Sequence, residues 1–250
     1  MKIALLDAST AVCAAYGAGI EDGLRELRPQ ITSALGIDRG CLNLYEYFFD
    51  EEGKRRLSAL REYREPGFLE LMLNRFKETE VPELPEAKEI PAALGFGIYD
   101  LTADTFKVIP DTMIRKEPEL AMKAALAGIG NKPVLIGTSK CFSAGFKEPL
   151  PVSPIVSKHD ITIVIAGKPS LLEAKREREA ARELAHAFPV LSFRLRARAN
   201  NYLRSYRLAE RLEKEGKAVL CSPEAGNAEE LYEQGLSKGR EICEKLKNNA

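Results

Sequence analysis

Three places in this 250-residue chain combine residue types at spacings that bear on chemistry. The first is Ala34-Leu35-Gly36-Ile37-Asp38-Arg39-Gly40-Cys41-Leu42, an apolar approach, a tight turn framed by Gly36 and Gly40, and an apolar helix start. That layout suits a strained strand-to-helix elbow, which lifts one side chain into the open beside backbone N–H groups able to hold an oxyanion. A hydroxyl at its centre would be a nucleophile; this chain has Asp38 there, with Arg39 beside it. The second is Leu6-Asp7-Ala8-Ser9-Thr10, just after the first apolar run, where open parallel sheets take ligands. It has no Gly-x-Gly-x-x-Gly and no Walker lysine, so nucleotide binding ranks last among the functions considered. The third is a helix from Arg198, with Tyr202, Tyr206, Ala209 and Leu212 on one stripe and Arg198, Arg204, Arg207 and Arg211 around it. Glu210, Glu213 and Glu215 offset much of that charge, so the stripe is expected to face the core, the charges to face water, and no nucleic acid to bind.

Metal and histidine chemistry find little support. His159 is placed at the opening of a strand and His186 at a helix C-terminus, where positive charge suits the dipole. Neither has an acidic cluster at helical spacing, so no metal site and no cofactor are expected. The five cysteines, Cys13, Cys41, Cys141, Cys221 and Cys243, are scattered and form no Cys-x-x-Cys pair. They suit a reducing compartment, and the expected location is cytoplasmic.

The elements that must position these residues alternate. Short Ile/Val/Leu runs interleaved with longer segments of helical period predict an α/β chain with a mostly parallel sheet. Strands are expected at Lys2–Leu6, Gly95–Asp100, Pro133–Ile136, Asp160–Ala166, Val190–Phe193 and Ala218–Cys221. Helices are expected at Ala14–Leu27, Leu42–Phe49, Pro66–Phe76, Pro118–Gly128, Leu171–Phe188, Arg198–Glu215 and Ala228–Lys247. Pro118 suits a first helical turn, and Gly216 suits a helix stop. A Pro/Glu-rich flap or linker is expected at about residues 79–91, inside a single domain spanning residues 1–250.

Composition agrees with a globular chain. Thirty-seven basic and 37 acidic residues cancel, so no long-range field favours a polyanion. With 45% hydrophobic and 30% charged residues the chain is neither disordered nor fibrous. Its longest apolar stretches, such as Ile161–Gly167, fall short of the about 20 residues that span a bilayer. The Met1–Asp7 segment is expected to be a first strand and not a signal peptide.

Several segments, in the same order, resemble patatin-like phospholipases. Tyr16-Gly17-Ala18-Gly19-Ile20-Glu21-Asp22-Gly23-Leu24 resembles the Tyr-Thr-Ala-Gly-Val-Leu-Asp-Ala-Leu stretch that comes after the family's glycine-rich oxyanion loop. Ala144-Gly145-Phe146-Lys147-Glu148-Pro149-Leu150-Pro151-Val152 is similar to the segment running from Asp-Gly-Gly to Pro-Ile-Pro-Val. Ile161–Pro169 is similar to the strand and Thr-Arg-Pro of the bacterial branch, and Tyr202, Leu212–Lys217, Ser222-Pro223 and Leu231–Gly235 continue the series. The resemblance implies a three-layer α/β/α sandwich and, in the family, a lipid acyl hydrolase whose serine–aspartate dyad works beside glycine N–H donors.

Carried over residue by residue, the resemblance implies an altered site. The nucleophile position falls on Asp38, the dyad-aspartate position on Ser143, and the oxyanion loop on Leu6–Cys13, whose Ala8, Ser9, Thr10 and Ala11 include no glycine. A carboxylate at Asp38 opposes the charge that an attacked carbonyl must develop, and Cβ atoms in the loop penalise the backbone that aims N–H groups at one point. Arg39 is positioned to pair with Asp38 and close the pocket. The expectation is a non-catalytic protein that binds a lipid, a small acyl ligand or a partner. The alternative is an active esterase or phospholipase that uses Ser143 with Asp38.

Overall fold

The structure is a computed structural model that describes residues 1–10, 13–50, 77–128, 131–156, 158–169, 181–182, 185 and 189–248. The expected helix Pro66–Phe76, most of Leu171–Phe188, and with them His186, lie outside the described residues, as does Ala11 of the loop.

Ile3–Asp7 (β1) is buried along its whole length, as a strand with both faces covered must be. Its side chains alternate, so Ile3 and Leu5 enter one apolar cluster while Ala4 and Leu6 enter another on the opposite face. Ile31–Gly36 (β2), Ala93–Asp100 (β3), Ile161–Ile165 (β7) and Ala218–Cys221 (β8) run parallel to it in the order β3-β2-β1-β7-β8. Parallel neighbours need a crossover. Ala14–Gly23 (α1) and a 3-10 turn at Arg25–Gln30 supply it between β1 and β2, and Arg39–Phe49 (α2) leaves the end of β2.

The sheet gains an antiparallel portion at β3. Thr105–Pro110 (β4) pairs with Gly95–Asp100 of β3. Ser139–Ser143 (β6) pairs with Ile98–Asp100, and Val134–Ile136 (β5) pairs with β6. A strand has two edges. Since Phe96 pairs with both Ile109 and Gly36, and Ile98 with both Lys107 and Ser143, β2 and β6 share the edge that β4 does not occupy. Strand β6 therefore comes to rest on the stretch of β3 that β2 vacates after Gly36.

On the face that carries Ile3 and Leu5, the sheet packs against α1, α2, Asp111–Lys116 (α3), Pro118–Leu126 (α4) and Ala228–Asn248 (α7). On the other face lie Ser153–Val156 (α5) and Pro189–Lys214 (α6). Helices α1 and α7 meet at glycines: a Cβ on Gly235 would stand 2.2 Å from the Tyr16 carbonyl oxygen, and one on Gly19 would stand 2.1 Å from that of Tyr232. The close approach leaves α1 almost wholly buried.

Residues 78–91 contain neither helix nor strand, yet Val81, Leu84, Ala87 and Ile90 pack on the core and Tyr45 donates a hydrogen bond to the Pro85 carbonyl at 2.9 Å. The Pro/Glu-rich segment is a strap across α2. Val190–Phe193, expected as a strand, is the first turn of α6, because Pro189 fits a helix start and the helical pattern then runs on to Lys214. Pro118 stands at the start of α4 and Gly216 takes φ +71° after α6, as the sequence implies. Among the described residues no helix is long and apolar enough to cross a membrane.

Candidate functional site

Asp38 lies between β2 and α2 with φ 55° and ψ −125°, a backbone that L-residues other than glycine rarely adopt. Its neighbours show why the chain accepts it. The Ile37 N–H donates to the Asp7 carbonyl at 2.8 Å, the Gly40 N–H to the carbonyls of Ile37 and Ser9 at 3.0 and 3.2 Å, and the Cys41 N–H to the Asp38 carbonyl at 3.0 Å. The two framing glycines are required by contact. A Cβ on Gly40 would be 2.1 Å from the Asp7 carbonyl oxygen, and one on Gly36 2.6 Å from Cys41 Cα. The start of α2 is thus pressed against the carboxyl end of β1, and the Asp38 side chain is carried outward to a partly exposed position.

Ser143, the last residue of β6, is buried and caps the 3-10 turn Ala144–Phe146, where its hydroxyl accepts the Gly145 N–H at 3.3 Å. The shared edge of β3 brings it to the elbow. A methyl group placed on Gly145 would lie 3.5 Å from Ser143 Oγ, 3.9 Å from Asp38 Oδ2 and 3.9 Å from Arg198 Nη2. A carboxylate, a hydroxyl and a guanidinium, from β2–α2, β6 and α6, therefore surround one small volume. Sequence reasoning placed Arg198 among solvated charges; the helix turns it inward, while Tyr202, Tyr206, Ala209 and Leu212 fill the core beneath. Arg39, the first residue of α2, is partly exposed.

Among the described residues of the loop after β1, the Ala8, Ser9 and Cys13 N–H groups are engaged within the protein. The Ala8 N–H donates to the Ile165 carbonyl at 2.9 Å and extends the β1–β7 ladder. The Ser9 N–H donates to Asp7 Oδ1 at 2.8 Å, and the Cys13 N–H to the Thr10 carbonyl at 2.9 Å. Ala8 and Ser9 are buried and Thr10 is partly exposed.

Beneath the loop is a buried polar cluster that the sequence analysis missed. Asp7 and Glu21 have no solvent exposure, and Asn43 Nδ2 bridges Asp7 Oδ2 at 2.9 Å and the Ala14 carbonyl at 3.0 Å. Gly17 makes the room: a Cβ there would stand 2.5 Å from Ser9 Oγ and 2.8 Å from both Asn43 Nδ2 and Asp7 Oδ2. Burial raises the Asp7 carboxyl above its ordinary range, opposed by hydrogen bonds from Ser9, Asn43 and Glu21. The same burial, with Asp7 nearby, pushes the Cys13 thiol up to about 11 and raises Cys41, so neither is a poised thiolate.

His159 sits just before β7 with Nδ1 at 2.8 Å from the Ile155 carbonyl oxygen. Among the described residues no group of three His, Cys, Asp or Glu side chains is gathered as a metal would need. Two surface hollows, of about 330 and 400 Å³, lie along the outer face of α7 and between the strap and α3, away from the elbow.

Searches of the sequence against models of known protein families and against curated proteins find no match.

Proposed function

We propose that this chain is a patatin-like protein whose ester-cleaving site has been dismantled, with the elbow kept as a polar binding site for a small ligand. The observation that carries this reading is the carboxylate of Asp38 at the centre of the elbow, in the backbone conformation that would present a nucleophile. Attack on an ester carbonyl builds negative charge on its oxygen, and a fixed carboxylate beside that charge raises the barrier where preformed donors should lower it. Two donors of the loop, the Ala8 and Ser9 N–H groups, are engaged by Ile165 and Asp7. What remains at the elbow is an acidic, a hydroxyl and a basic group around Gly145, a set suited to hydrogen-bonding a small polar or zwitterionic molecule.

A second reading rests on the convergence of Ser143 and Asp38. There Ser143 attacks, Asp38 accepts its proton, and Arg198 faces the developing oxyanion. Against it, the Ser143 hydroxyl is buried and serves as the cap of the adjoining turn. Incubation with a fluorophosphonate and then intact mass measurement separates the two. The proposed function predicts no adduct on the wild-type chain. An adduct that disappears in Ser143→Ala overturns it in favour of the second reading.

A further inference from the structure

Helix α6 has an outer face that neither the fold nor the elbow uses. Successive helical residues turn by about 100°, which puts Phe193, Arg196, Arg204, Arg207, Arg211 and Lys214 within one arc of about 80°, opposite the buried tyrosine side. Over about 30 Å of helix that arc carries only positive charge. The acids that cancel it in the sequence lie at the edge or the carboxyl end of the arc. Glu213 accepts the Leu220 N–H at 3.0 Å, Glu215 is held by Lys217 at 2.9 Å, and Glu210 falls outside the arc. Arg211 reaches Glu215 only at 3.8 Å, and Arg196, Arg204, Arg207 and Lys214 make no ion pair among the described residues. At the amino-terminal end of the same face Phe193 is 63% exposed and Val190 48% exposed, two of the few large apolar side chains on the described surface that reach into water.

A basic stripe calls for an anionic partner, and an exposed aromatic tip on that stripe calls for an apolar layer immediately beside the anions. A phospholipid surface offers both within a few ångström, and it takes the aliphatic Val190 together with Phe193 into one apolar layer. We infer that the outer face of α6 docks on an anionic phospholipid surface, with Arg196, Arg204 and Arg207 lying on the headgroups and Phe193 and Val190 entering the layer below. The overall charge of zero leaves this local stripe as the steering element. On its inner side the same helix carries Arg198 to the elbow, so docking would set the candidate site beside the lipid surface.

Co-sedimentation of the full chain with vesicles tests this. The chain is expected to pellet with vesicles that contain phosphatidylserine and not with pure phosphatidylcholine, and added salt should release it. Each arginine reversed should weaken binding about fivefold or more, so Arg204→Glu with Arg207→Glu should release the chain at low salt. Phe193→Ser should weaken binding at every salt concentration. All three side chains are exposed, and circular dichroism checks that the variants fold. Lys123→Glu with Lys132→Glu makes the same charge change away from α6 and should leave binding unaltered. Equal binding to both vesicle types, no binding to either, or an equal loss in the lysine control overturns the inference. So does binding that Phe193→Ser leaves unchanged and that duplex DNA removes by competition, which would assign the stripe to a nucleic-acid partner.

Discussion

The backbone at Asp38 supports a prediction that can be worked from its two dihedral angles. A residue with a Cβ held at φ 55°, ψ −125° stores about 1–3 kcal/mol of strain. Glycine releases that strain at a cost of about 0.4–1 kcal/mol in unfolded-chain entropy. Replacing Asp38 by alanine keeps the Cβ and removes the carboxylate, whereas replacing it by glycine removes both. The difference between the two variants therefore reads the strain less that entropy cost, and the difference between wild type and Asp38→Ala reads the carboxylate's contacts around Gly145. Asp38→Gly is expected to be more stable than Asp38→Ala by about 1–2 kcal/mol. In a chain of this length that is a melting temperature higher by about 2–8 °C. Thermal and urea unfolding of the two variants side by side, at neutral pH, read this out. If Asp38→Gly is no more stable than Asp38→Ala, the turn is not strained and its description as an elbow fails.

Packing and charge give two further expected outcomes. Gly235→Ala puts a methyl group 2.2 Å from a main-chain oxygen and 2.9 Å from a main-chain nitrogen of α1, neither of which can rotate away. Overpacking of this kind costs about 1–3 kcal/mol against a helix-propensity gain of about 1 kcal/mol, so the variant should melt lower, while Ser237→Ala on the exposed side of α7 should not. A Gly235→Ala protein that melts higher than wild type would contradict the close α1–α7 contact. Asp7 has a carboxyl pKa raised by burial, so the folded chain keeps a proton that the unfolded chain releases near pH ~4. Its stabilisation is complete below that pH and is lost as pH rises through the folded value. The melting temperature of wild type minus that of Asp7→Asn should accordingly be largest in acid and decline towards neutrality. A difference that stays flat with pH would show that burial does not raise the Asp7 carboxyl.

The sequence carried the parallel core except for β2. Ala218–Cys221 and Ile161–Ile165 are short runs of β-branched and aliphatic residues bounded by polar ones, and both are strands. Strands β2, β4 and β6 were hidden: the first has Thr32 and Ser33 inside it, the second ends in Pro110, and the third, Ser-Lys-Cys-Phe-Ser, has no Ile or Val. Val190–Phe193 illustrates the ambiguity of a short apolar run, which the preceding Pro189 and the unbroken helical period on to Lys214 resolve as helix. At the elbow, Gly36 and Gly40 were visible as a frame because close backbone approach leaves its mark on residue type. The meeting of Asp38 with Ser143, 105 positions further on, was not, since it depends on β6 occupying the edge that β2 leaves. Burial of Asp7 against Glu21 gave no local signal either; the one trace was a glycine at position 17, where a larger side chain would collide with the cluster. The Gly19/Gly23 and Gly235/Gly239 spacings stood in the sequence as small-residue pairs four apart, but only the structure shows that they face each other.

The central claim is that the elbow holds its ligand without breaking an ester. Hydrolysis of a short-chain nitrophenyl ester by the purified full chain, measured against buffer and against Ser143→Ala and Asp38→Ala, tests it most directly. The account predicts a wild-type rate equal to the buffer rate and unchanged in both variants. A rate well above buffer that either substitution abolishes would contradict it.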